Sequence, residues 1–206
     1  MFMGKYGIGI VLLLMMLIIG ILEPSFRSGR NFLTVATQVS INGMISYGMC
    51  LVITTGGIDL SVGAQLALTS CILGQLISVK EWSIFPAILV ALLVSTLWGV
   101  VNGFFVAKFN MFPFVVTLST QLIIRGLAQV VSGGKAVSMT SKAFKDIYNG
   151  TVAGIPIPII LLLIVTIIVY LLLHWTKTGR YIFAVGGNVN AAIASGVSEL
   201  KTKTFV

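Results

Sequence analysis

Charged residues are scarce in this sequence. The 206 residues include five Asp and Glu and 13 Lys and Arg, together 9% of the chain, whereas 57% of the residues are hydrophobic. A soluble globular protein needs far more charge to cover its water-facing surface. With a mean hydropathy of +1.08, a soluble fold is excluded and an all-α integral membrane protein is indicated. The net charge of +8 is expected in loops near anionic lipid rather than at a nucleic-acid site, because no basic stripe with interleaved aromatics is present.

Groups suited to metal or redox chemistry are isolated from one another. Cys50 and Cys71 each lie inside an apolar stretch, so neither a disulfide nor a CxxC site is predicted. His174 is the only histidine and has no cysteine or carboxylate nearby in sequence, which leaves a zinc ion without a ligand set. We therefore expect no metal and no cofactor bound by this chain.

Motifs for nucleotide hydrolysis and acid–base catalysis are also lacking. The Gly134-Lys135 pair has Gln129 where a P-loop requires its first glycine and Ala136 where it requires Ser or Thr. Asp59 has no second carboxylate near it to complete an acid–base pair. The chain is therefore not expected to be an enzyme.

Long apolar stretches predict a polytopic bundle of about six transmembrane helices. They cover residues 6–22, 32–55, 62–79, 84–107, 112–131 and 158–173. At a rise of about 1.5 Å per residue, even the shorter stretches reach across the hydrocarbon core with help from flanking residues. In the fourth stretch, Gly99 and Gly103 form a GxxxG spacing, which lets another helix approach closely.

Polar residues inside the predicted spans need partners other than lipid. Thr34, Gln38, Asn42 and Ser46 recur at every fourth position, which places them on one helical face. Such a stripe either bonds to neighbouring helices or lines a translocation path, because unpaired amides are costly in hydrocarbon. Arg125 in the fifth span also has two interpretations. Its guanidinium either extends to the membrane interface or pairs with a group inside the bundle.

The helical pattern breaks over residues 54–63. The adjacent Gly56 and Gly57 are expected to end one helix, and Asp59 or Ser61 can cap the next. This break between two spans is a candidate gate.

A polar segment over residues 132–157 is long enough to hold structure of its own. We expect a short surface helix there over about 143–148, with Ser141 as its cap.

A second polar segment, residues 175–204, follows the last apolar stretch. Asn188 or Asn190 can cap a short helix of small residues that ends near Gly196. The segment is either a simple connector or a compact helix that inserts into a groove of a partner protein.

Three stretches of the sequence form a recognisable set. They are Gly56-Gly-Ile-Asp-Leu-Ser-Val-Gly-Ala64; Pro113-Phe-Val-Val-Thr-Leu118 with Ile124-Arg-Gly126; and Thr178-Gly-Arg-Tyr-Ile-Phe-Ala-Val-Gly-Gly-Asn188 with Ala191-Ala192 and Ser195-Gly196. In this order they closely resemble the motifs of the ribose-type ABC sugar permeases. The resemblance runs over the whole chain, and members of that family continue beyond its last residue. We therefore expect residues 1–206 to be the N-terminal part of a longer permease, forming a single transmembrane domain that is truncated at its C-terminus.

The resemblance implies a permease subunit of a bacterial ABC importer for a ribose-like or related monosaccharide, embedded in the lipid of the inner membrane. Its implied partners are a separate ATP-binding protein that uses the ATP, an extracytoplasmic sugar-binding protein and a second permease copy. Lysines and arginines divide evenly between the two sides, so charge leaves the orientation open. The resemblance assigns residues 175–204 to a cytoplasmic coupling loop, which places residues 132–157 in an extracytoplasmic loop.

Candidate site residues fall into three sets. The resemblance assigns to ATPase coupling Gly179, Arg180, Gly186, Gly187, Asn188, Ala191, Ala192, Ser195 and Gly196. The helix break and candidate gate contains Gly56, Gly57, Asp59 and Ser61. The candidate path lining contains Thr34, Gln38, Asn42, Ser46 and Arg125. We expect the small helix over residues 188–196 to act as a lever that moves the membrane helices when ATP binds.

A self-contained secondary transporter or channel is the alternative, because broken helices and intramembrane polar residues also suit ion-coupled transport. Only Asp59 and Arg125 are available there as ionisable coupling residues. A structural membrane scaffold is a third hypothesis, but it would not need the polar stripe.

Overall fold

The computed structural model describes the backbone of residues 2–206 and the side chains of residues 7–206, and it is almost wholly helical. The helices are α1 Phe2–Leu22, α2 Gly29–Thr54, α3 Val62–Gly74, α4 Ile84–Lys108, α5 Pro113–Ser132, α6 Lys142–Asn149, α7 Ile157–Trp175, α8 Lys177–Gly187, α9 Val189–Ala194 and α10 Glu199–Phe205. A 3₁₀ turn, Pro24–Arg27, precedes α2, and a π-helical turn, Gln75–Val79, extends α3. The strands β1 Thr151–Val152 and β2 Ile155–Pro156 form a small antiparallel hairpin. The predicted all-α class is confirmed.

Within the described residues, five helices are long and apolar enough to cross a membrane: α2, α3 with its π-helical turn, α4, α5 and α7. The Gly7–Leu22 part of α1 is a shorter apolar helix. The predicted first span begins at Tyr6, whose side chain lies outside the described ones, so this sixth crossing stays a prediction. Large apolar side chains such as Phe112 and Trp175 are 80% and 76% exposed, as expected of surfaces that face lipid.

Helices α3, α4 and α5 pack against one another. Ala64 and Leu68 of α3 meet Ile124 and Ala128 of α5 in a small buried cluster, and Trp98 of α4 packs against it. Small residues at such a contact let helix backbones approach closely, which is how helices associate in a membrane.

Helix α2 packs against α7 instead. A Cβ built on Gly43 would lie 2.9 Å from Leu162 Cδ1, so a larger residue at this crossing would require the Leu162 side chain to shift. The Thr166 hydroxyl donates to the Tyr47 hydroxyl at 3.0 Å on the same interface. The opposite side of α2 faces α3 and α4 across a cleft.

The segment between α5 and α7 folds over the ends of α3 and α4. The Thr140 N–H donates to Ser78 Oγ at 3.0 Å, and Met139 and Phe144 pack against the buried cluster formed by Leu76, Ile77 and Ala87. Ser141 accepts from the Phe144 N–H at 3.4 Å and caps α6, as the sequence predicted.

The helix ends gather at two ends of the bundle. We call one the coupling end, which contains residues 54–62, 108–113 and 175–205. We call the other the loop end, which contains residues 23–30, 79–84 and 132–157. The segment 175–204 was predicted to hold one short helix, but residues 175–205 fold into three, α8, α9 and α10. Gly179, Gly186 and Gly187 lower helix propensity there, and tertiary packing overrides it.

Candidate functional site

The break between α2 and α3 is a Schellman helix end. Gly56 has a φ of +81°, its N–H donates to Ile53 O at 2.9 Å, and the Gly57 N–H donates to Val52 O at 3.0 Å. Glycine adopts this left-handed conformation without steric strain. Gly56 and Gly57 therefore end α2 as the sequence predicted, whereas gating at this break stays a prediction.

The capping expected of Asp59 or Ser61 takes a different form. The Asp59 carboxylate accepts from the Ser61 N–H at 2.7 Å and from the Ser61 hydroxyl at 2.6 Å, which closes the turn ahead of α3. Ser61 occupies the N-cap position but makes no capping bond to α3. Its oxygen instead accepts from Gln65 Nε2 at 2.9 Å and from Asn102 Nδ2 at 3.0 Å. The hydroxyl thus ties α3 to α4.

These residues form what we call the polar network, which contains Asp59, Ser61, Gln65, Ser95 and Asn102. Ser95 completes it by donating to Gln65 Oε1 at 3.0 Å. Ser61 is 0% and Asn102 6% exposed, and a buried network is stabilising only when its members find partners. Asn102 Oδ1 has none among the described residues.

Helix α8 follows α7 through a tight turn. The Thr176 hydroxyl donates to Leu172 O at 2.6 Å and accepts from the Gly179 N–H at 3.1 Å, which caps α8. A Cβ on Gly179 would overlap the carbonyl oxygens of Leu172 and Leu173. Gly179 is therefore required by the chain's own geometry at this turn.

The far end of α8 lies directly on the end of α2. A Cβ on Gly186 would overlap the Thr54 carbonyl, whereas no atom of the described residues lies within 4 Å of one built on Gly187. Thr55, the C-cap residue that follows α2, is 7% exposed and its hydroxyl donates to Val52 O at 2.8 Å. The two glycines of the pair therefore differ: one is a packing residue and the other is open.

The short helix expected over residues 188–196 is α9. Asn188 is its cap and accepts from the Ala191 N–H at 3.0 Å. Gly196 has a φ of +83°, and the Val197 N–H donates to Ala192 O at 3.0 Å, which makes a second Schellman end.

Ala192 has a different position from the one expected of a docking residue. It is 4% exposed and packs with Val185 and Val197 in a buried cluster that joins α8 to α9. Among the other residues assigned to coupling, the exposed ones are Arg180, Gly186, Gly187, Asn188, Ala191, Ser195 and Gly196.

The predicted stripe on α2 divides into two parts. Thr34 and Gln38 line an outer cleft of about 310 Å³ at the loop end. Asn42 and Ser46 are exposed but do not line it, because each four-residue step adds about 40° to a full turn and so carries them about 80° and about 120° round the helix from Thr34. Arg125 is exposed on α5, away from this cleft.

A second cleft of about 330 Å³ separates α2 from α3 and α4. We call it the deeper cleft, because its lining residues on α2, Met44 to Val52, lie farther from the loop end than those of the outer cleft. Gly48 and Val52 of α2 face Asp59, Gln65 and Ser95 of the polar network across it. The sequence reasoning missed Gln65 and Ser95, and it also missed Asn102. Isolated amides inside apolar spans were the signal that could have found Gln65 and Asn102.

One of the two glycines of the GxxxG spacing in α4 lies against α10. A Cβ on Gly103 would lie 2.6 Å from Lys203 O, so α10 contacts the backbone of α4 there. In the described part of the chain nothing lies within 4 Å of a Cβ on Gly99, which borders the deeper cleft instead. Across the described part of the chain, no group of three or more His, Cys, Asp or Glu is placed to hold a metal.

Comparison with known proteins connects this arrangement to a family. Residues 31–206 match the family described as the permease component of branched-chain amino acid transport systems. The chain belongs to this permease family. The matched region contains the polar network, the deeper cleft, every lining residue of the outer cleft except Arg30, and helices α8 to α10.

Among named relatives, the permease is similar to proteins of sugar import. It is 40% identical over 201 residues to the ribose import permease protein of Haemophilus influenzae, covering 96% of this chain and 62% of the relative. It is 38% identical over 206 residues to the ribose import permease protein of Bacillus subtilis, with 99% and 64% covered. The L-arabinose transport system permease protein of Escherichia coli is 34% identical over 202 residues, with 98% and 61% covered.

The permease thus spans less than two thirds of the length of these relatives. No solved structure matches it. The resemblance to ribose-type sugar permeases is confirmed, and the family together with the five apolar helices identifies a multi-pass protein of the bacterial inner membrane.

Proposed function

We propose that the permease is the transmembrane subunit of an ABC importer that carries a monosaccharide. The names of its relatives, which are ribose, L-arabinose and D-allose permeases, support the substrate class. The observation that carries the coupling part of the proposal is the contact between Gly186 of α8 and the Thr54 carbonyl at the helix break.

In this proposal the coupling end is cytoplasmic and meets a separate ATP-binding protein, which binds and hydrolyses the ATP. The exposed side of α9, including Ala191 and Ser195, docks on that protein. The loop end is extracytoplasmic and receives sugar from a binding protein, and a second permease copy completes the path.

The coupling mechanism follows from close packing. Because no gap separates α8 from α2, a displacement of α8 and α9 on ATP binding moves Thr54 and the break that follows it. The break is held by Thr117, whose hydroxyl donates to Ile58 O at 3.1 Å, and by the polar network. Rearrangement there changes the separation of α2 from α3 and α4, and so opens or closes the deeper cleft.

The test is a tryptophan on the exposed side of α9. Ala191→Trp adds bulk to the docking surface and leaves the buried Ala192 cluster intact, so the full-length permease should insert normally. We expect it to lose co-purification with its ATP-binding protein and stimulation of ATP turnover. The matched control, Ala143→Trp on the exposed α6, should keep both.

Loss of the ATPase contact in Ala143→Trp but not in Ala191→Trp would reverse the proposed orientation. Sugar uptake by the permease reconstituted alone, without ATP, would instead favour a self-contained secondary transporter.

A further inference from the structure

The outer cleft at the loop end of α2 has the chemistry of a carbohydrate site. It has a volume of about 310 Å³ and lies between the first turns of α2, the end of α6 and β2. Its polar lining residues are Arg30, Thr34, Thr37, Gln38, Tyr148 and Asn149. They come from two segments that are far apart in sequence, and the fold brings them together.

The cleft offers both hydrogen-bond donors and acceptors. The hydroxyls of Thr34 and Thr37 donate to Arg30 O at 2.9 Å and Leu33 O at 2.8 Å, so they keep lone pairs that can accept. Gln38 and Asn149 each present an amide, which donates through nitrogen and accepts through oxygen. A vicinal diol needs this combination, since each sugar hydroxyl both donates and accepts.

The remaining lining residues suit the apolar face of a sugar ring. Tyr148, 48% exposed, provides an aromatic surface, and Leu33 and Pro156 add aliphatic surface beside it. Among the described residues no carboxylate lines the cleft, so a cationic ligand would find no counter-charge from them there. Small-ligand sites combine apolar walls with a few polar groups in this way, and this volume is at the lower end of their range.

The position of the cleft connects it with the deeper cleft. Gly48, which borders the deeper cleft, follows Thr34 by two heptads and therefore lies on nearly the same face of α2. A ligand bound at Thr34 and Gln38 is thus on the side of α2 that faces α3 and α4.

We propose that the outer cleft is an entry site that binds a neutral monosaccharide before it reaches the deeper cleft. Gln38 and Asn149 bind the sugar hydroxyls, and Tyr148 packs on the ring. This inference rests on the proposed function and adds to it a site within the permease itself.

The test uses a cysteine reporter in the full-length permease with its ATP-binding protein in lipid nanodiscs, without the sugar-binding protein. Cys50 and Cys71 are replaced by alanine, and Thr37→Cys is modified with a water-soluble maleimide. D-Ribose, L-arabinose or D-allose should slow the modification about threefold at a concentration near twice the Kd. Adding Gln38→Ala should remove this protection.

Two controls accompany the reporter. Val39→Ala, on the opposite side of the same helical turn and 56% exposed, should leave the protection unchanged. Lys142→Cys on the exposed face of α6 should react at the same rate with and without sugar.

Equal Thr37→Cys reaction rates with and without each sugar would overturn the proposal. So would protection by inorganic phosphate alone, which would indicate an anion site at Arg30, or protection that survives Gln38→Ala. Sugar uptake by the permease that carries only the Cys50 and Cys71 replacements, measured with the binding protein present, separates the proposed function from the entry site. If this permease carries no monosaccharide, the proposed function is refuted. If it is active but the Thr37→Cys reporter is unprotected, only the entry site is refuted.

Discussion

Gly186 of α8 lies against the Thr54 carbonyl of α2, with no room for a side chain between them. This contact joins α8, at the coupling end, to the last residue of α2, which is the helix that borders both clefts. It is made by backbone, so a movement of α8 reaches α2 without an intervening flexible side chain. The helix break begins one residue later, where the chain can change direction.

Gly186→Ala should therefore disturb coupling. Its Cβ overlaps the Thr54 carbonyl, and overpacking of this kind typically costs about 1–3 kcal/mol. We expect sugar uptake per ATP hydrolysed to fall in the reconstituted importer. The control is Gly187→Ala, where the Cβ meets open space and alanine improves helix propensity by about 0.5–1 kcal/mol. Equal coupling in the two variants would show that the contact transmits nothing.

Asp59 should act as a hydrogen-bond acceptor rather than through its charge. Asp59→Asn keeps an oxygen for the N–H and hydroxyl of the buried Ser61, whereas Asp59→Ala removes it and should destabilise the turn by about 1 kcal/mol. The thermal midpoint of the purified permease and its uptake at equal membrane abundance would measure this. An Asn variant as defective as the Ala variant would mean that the negative charge itself is required.

Gly103 should be sensitive to a single methyl group. Gly103→Ala places a Cβ 2.6 Å from Lys203 O, so α10 must move away from α4, at a cost of about 1–3 kcal/mol. Its thermal midpoint should fall below that of Gly99→Ala, which has no neighbour within 4 Å. If the two variants had the same thermal midpoint, close packing of α10 on α4 would be ruled out as a source of stability.

Local chemistry explains why part of the site could be predicted from sequence. The helix end at Gly56, the Asn188 cap of α9 and the Ser141 cap of α6 each depend on residues within a few positions of one another. The burial of Ala192 could not be predicted, because small residues suit a docking surface and a tight interior equally well, and its assignment to ATPase coupling stays a prediction. Only the packing of Val185 and Val197 around Ala192 distinguishes the two.

By itself, the sequence determined the membrane class, five of the spans, the ends of several helices and the family. In hydrocarbon each backbone group must be satisfied within its own helix, so the length of an apolar stretch is enough to predict a span. The tertiary structure decided which faces meet, as Gly186 with Thr54 and Ser61 with Asn102, and which residues line one cleft, as Thr34 and Gln38 do with Tyr148 and Asn149. Hydrophobicity could not decide these pairings, because lipid and protein interior are equally apolar and a helix face carries no mark of which one it touches.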